Sequence, residues 1–158
     1  MIRDAFLYTA LFFMVAVAVI IVYIAFDGIN DAIQANDDIN ADIKGKMSTM
    51  SDRYPDTWDY GLLTVFIGLV IAILLLSWVV ASNPGLFFLF MVVVVLIAGF
   101  AGYLANAFSE IILDPVIGAA ATEFPITSFI LTNYMVFVVV MIFLMLIVFF
   151  AKPNEGYS

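Results

Sequence analysis

Polar chemistry in this chain would have to rest largely on aspartate. Residues 27–59 carry Asp27, Asp31, Asp37, Asp38, Asp42, Asp52, Asp56 and Asp59 against Lys44, Lys46 and Arg53. Asp27 and Asp31, like Asp38 and Asp42, are four apart and share a helix face. General acid–base work would need such a pair in a desolvated cleft with shifted pKa values. Nothing in the flanking sequence supplies one, so these pairs read as a solvated face. Asp38-x-Asn40-x-Asp42 resembles the start of a calcium loop, but such a loop needs Gly at its sixth position and Glu at its twelfth. Those positions hold Ile43 and Thr49, which rejects the motif. Asn106 and Asn133, within or at the ends of apolar runs, read as helix-end or interhelical hydrogen-bonding residues rather than a pore lining. The eight Met residues read as lipid-compatible filler. There is no Cys and no His. Thiolate and imidazole chemistry, disulfides and the usual nitrogen or sulfur metal ligands are excluded, and no metal, cofactor or catalytic residue is assigned.

The elements that would position any site are apolar to an unusual degree. The 158 residues are 66% hydrophobic and 11% charged, with a mean hydropathy of +1.18. Soluble domains hold roughly 25% charged residues, so this chain cannot cover a water-facing surface, and its solvent is lipid. Residues 60–109 contain no charge and are broken only at Ser82-Asn83-Pro84-Gly85, a strong turn signal. A span needs roughly 20 apolar residues. Runs at 5–26, 61–81, 86–108 and 126–151 meet that requirement. The first is too long for the apolar core of a signal peptide and lacks a small-x-small cleavage site, so it reads as a retained anchor.

The fold class is therefore all-α. It is a single polytopic membrane domain over residues 1–158, with about four transmembrane helices, a central helical hairpin and an amphipathic extramembrane helix. The short link at Pro84 predicts that the second and third spans lie antiparallel and adjacent. In the polar segment 27–59, Ile29, Ile33, Ile39, Ile43, Met47 and Met50 recur at helical spacing. This pattern predicts that the first helix runs on out of the membrane to about Met50, with a kink at Gly28 and a weak point at Gly45. The stripe is the candidate protein-interaction surface. Residues 51–59 read as a loop, because Tyr54-Pro55-Asp56 should break a helix. Trp58 and Tyr60 then belong at the headgroup level.

Small residues at Ala98, Gly99, Ala101, Gly102 and Ala105 form the candidate helix-packing face, since small side chains let helix backbones approach in lipid. Residues 109–125 form an interfacial or re-entrant connection, with a turn at Asp114-Pro115. No ionisable residue falls within the four spans, which argues against proton relays and charged ion pathways. Four spans put both termini on one side, and Arg3 and Lys152 weakly favour the cytoplasmic side for them. The net charge of −8 argues against nucleic acid and against docking on anionic lipid headgroups.

A tiny apolar chain, without Cys or His, with one amphipathic segment projecting from a helical hairpin core, resembles the small multi-span membrane proteins of tailless icosahedral phages with an internal membrane, the corticovirus- and tectivirus-like group. The resemblance covers the layout of the whole chain and carries over no motif. It implies a virion structural protein of the internal bilayer, contacting capsid or neighbouring membrane subunits, in multiple copies or a hetero-assembly. The expected function is accordingly that of a non-catalytic structural subunit. The alternatives are a holin-like pore former, which the long acidic segment and the missing basic tail count against, and an accessory subunit of a cellular membrane complex. A transporter ranks lower because the spans are uncharged and no inverted repeat is visible. An enzyme ranks lowest.

Overall fold

The computed structural model describes residues 2–80 and 84–151, and every regular element in them is helical. In order these are α1 (Ile2–Ala35), α2 (Ala41–Val80), α3 (Pro84–Ile111), α4 (Pro115–Thr122), α5 (Pro125–Thr132) and α6 (Tyr134–Ala151). The segments Leu7–Ala35, Ala41–Leu75 and Val92–Ile111 are each long and apolar enough to cross a membrane. Helices α4 and α5 form a bent pair, turned through 116° at the break between them. At 1.5 Å per residue, α4 reaches only about 12 Å, which suits the interfacial or re-entrant role expected for it. Between α5 and α6 the helical ladder continues: Asn133 N–H donates to the Phe129 carbonyl at 3.1 Å, and Phe137 N–H to the Asn133 carbonyl at 3.1 Å. Residues 125–151 thus supply a length of about 40 Å at the rise of an α-helix. Asn133 marks the local irregularity, and its side chain donates to the Phe129 carbonyl at 2.9 Å.

Three expectations from the sequence change here. First, the chain reverses at residues 36–40, so the helix that leaves the membrane ends at Ala35 and does not run on to Met50. Asn36 Oδ1 accepts from Asp38 N–H at 3.0 Å, and Asn40 Oδ1 accepts from Asp42 N–H at 2.9 Å. These are an Asx turn and an N-cap, both local alternatives to helix that asparagine favours. Second, α2 is helical straight through Pro55, where a loop was expected. A proline inside a helix forfeits one backbone hydrogen bond, but here the flanking turns are tied to α1. Tyr54 stacks on Tyr23 and Phe26 with ring centroids 5.9 and 5.7 Å apart, and Ser51 Oγ donates to Asp27 Oδ1 at 3.1 Å. Tertiary contacts override the local preference.

Third, over the described residues α2 and α3 pack chiefly on other helices rather than on each other. Helix α1 packs on α2 and α3, and α6 also packs on both. The bundle therefore runs in the cyclic order α1, α2, α6, α3, with α2 and α3 on a diagonal. The turn between them, at Ser82 and Asn83, lies outside the described residues. The core is apolar and aromatic. Phe12, Phe13, Ala16, Ile20, Phe66, Ala101, Phe108, Leu131 and Tyr134 are buried in it. Phe12 stacks on Tyr134 at 6.0 Å and meets Phe66 at 5.4 Å. Without a hydrophobic force between helices in lipid, such close packing is what holds a bundle together.

The small-residue face of α3 is used within the chain. Ala101 is fully buried, Ala105 is buried, and a Cβ on Gly102 would sit 3.0 Å from Met135 Sδ of α6. Ala98 is half-buried against the core, whereas Gly99 faces open space.

Candidate interaction site

The charged segment folds as a helical hairpin built from the end of α1 and the start of α2. Its register is fixed by hydrogen bonds. Gln34 Nε2 donates to the Lys44 carbonyl and Lys44 Nζ donates to the Gln34 carbonyl, each at 2.9 Å. The lysine thereby satisfies a carbonyl at the end of α1, where helices leave acceptors without partners. Nearer the membrane, Ser51 pairs with Asp27.

Helical phase then decides which residues share a flank. At 100° per residue, Ile29 and Ile33 lie within about 60° of Phe26 on α1, and Ile43, Met47 and Met50 lie within about 40° of Tyr54 on α2. Phe26 stacks on Tyr54, so both sets lie on the same side of the hairpin. Ile29 is 52% exposed, Ile43 54% and Met50 59%, while Ile33, Ile39 and Met47 are half-buried. The apolar stripe read from the sequence is therefore a two-helix surface, with contributions from antiparallel neighbours. By the same phase, Asp31, Asp52 and Asp56 point to the opposite side. Asp42 pairs with Lys46 at 2.8 Å on the exposed outer edge, an ion pair of little energetic weight in water.

A second feature is visible only in the folded chain. Continuing the hairpin register down from Asp27 and Ser51 sets Asp59 level with Val19, well inside the uncharged run of α1. Asp59 is only 3% exposed. Its two carboxylate oxygens accept from the N-terminus of α5: Ile126 N–H to Oδ2 at 2.9 Å and Thr127 N–H to Oδ1 at 2.6 Å. Phe124, the residue preceding α5, offers no side-chain cap, so Asp59 caps that helix from another one. Negative charge at a helix N-terminus is favourable, and charge-assisted bonds offset the loss of water. Beside it the Thr127 hydroxyl is buried without a hydrogen-bond partner. With both oxygens already turned to N–H donors at the positive end of a helix, this carboxylate is a structural clasp and a poor cation ligand.

The other polar residues singled out from the sequence also have local roles. Asn106 Nδ2 donates to Glu110 Oε1 at 3.1 Å on the same helix. Asp114 caps α4, accepting from Val116 and Ile117 N–H at 2.9 and 3.1 Å. Among the described residues no cluster of His, Cys, Asp and Glu is placed to hold a metal ion. The chain matches no family model, no curated protein and no solved structure.

Proposed function

We propose that this multi-span membrane protein is a non-catalytic structural subunit of a larger membrane assembly, and that the apolar flank of its α1/α2 hairpin is where a neighbouring protein docks. One observation carries the reading. Beyond the apolar spans, in a segment whose charges require water, Ile29, Ile43 and Met50 remain exposed together on one side. Exposed apolar surface of this kind marks an interaction site. The membrane surface is a poor occupant, because the hairpin helices continue their spans outward and the segment is acidic. The setting that best suits the layout is the internal membrane of an icosahedral virion, with capsid or neighbouring membrane proteins as partners. Both termini then lie on one side, opposite the hairpin.

The test uses the two faces of the same hairpin. Ile43→Asp with Met50→Asp should leave insertion intact and abolish incorporation into the assembly, whereas Asp52→Asn on the far side should incorporate normally. Normal incorporation of the double variant would remove the docking role. Topology is read separately by cysteine labelling in a chain that has none of its own. Positions 30, 45 and 118 should label from one side, and 84 and 156 from the other.

A further inference from the structure

We draw no further inference here: the strongest candidate, the buried cluster of the Asp59 carboxylate and the unpartnered Thr127 hydroxyl at the N-terminus of α5, belongs to the interhelical clasp already described, in which both carboxylate oxygens are taken by backbone N–H donors.

Discussion

The carboxylate of Asp59 on α2 holds the backbone N–H of Thr127 on α5 at 2.6 Å, across 68 residues of sequence. Together with the bond to Ile126 N–H, this fastens the bent α4–α5 pair to the helix that rises into the hairpin. Removing the carboxylate leaves two N–H groups without acceptors in a buried place. Asp59→Ala should therefore destabilise the protein by about 1–3 kcal/mol, the usual cost of orphaned buried donors. Asp59→Asn, which keeps one acceptor oxygen, should lose less. Amide exchange in detergent micelles checks this, with protection expected to fall first at residues 126–128.

Thr127 makes the opposite prediction from the same site. Its Oγ1 is buried and unpaired, while its N–H bond to Asp59 does not depend on the side chain. Thr127→Val exchanges an unsatisfied hydroxyl for a methyl group of similar volume. It should be neutral or stabilising by about 1 kcal/mol, seen as an unchanged or raised midpoint in thermal unfolding. A marked loss of stability would mean that the hydroxyl has a partner after all.

Two glycines should respond to alanine in opposite directions. A Cβ at Gly118 would lie 2.5 Å from the Ile112 carbonyl oxygen, where the chain turns from α3 into α4. Backbone cannot yield as a side chain can, so Gly118→Ala should cost about 1–3 kcal/mol of overpacking strain. At Gly45 the space is open, and alanine should gain about 1 kcal/mol of helix propensity. Paired unfolding curves of the two variants measure the difference directly.

The small residues of α3 separate in the same way. Ala101 is fully buried and Gly102 abuts Met135, whereas Gly99 faces open space. Ala101→Leu and Gly102→Leu should each destabilise by about 1–3 kcal/mol or more through overpacking. Gly99→Leu should leave stability unchanged. A loss at Gly99 would show that this side of α3 is also covered, by a partner outside the chain.

Much of the architecture was legible before the fold was known. The charge-free stretches gave the spans and Asp114-Pro115 gave the turn before α4, whereas the spacing of Ile29 to Met50 was read on a single helix that the structure divides at residues 36–40. The readings that changed share a cause. Pro55 was expected to end a helix because its own backbone chemistry says so, yet Tyr54 and Ser51 are held by Tyr23, Phe26 and Asp27 of the neighbouring helix. The short link at Pro84 predicted adjacency of α2 and α3, yet over the described residues each packs chiefly on α1, α5 and α6. Nothing in the sequence set Asp59 apart from the rest of the acidic segment, yet its acceptor capacity is used by α5.

Lipid insertion is close to a sum over neighbouring residues, each with its own transfer free energy. The amino-acid order alone therefore settled that this chain lives in a bilayer, roughly where it crosses, and that catalytic imidazole and thiol are missing. Which flank of a helix is bare, how deep a carboxylate sits and which helices touch depend on contacts between residues far apart in the chain. The tertiary structure decided those, because burial and hydrogen-bond satisfaction belong to the packed bundle rather than to any one segment of it.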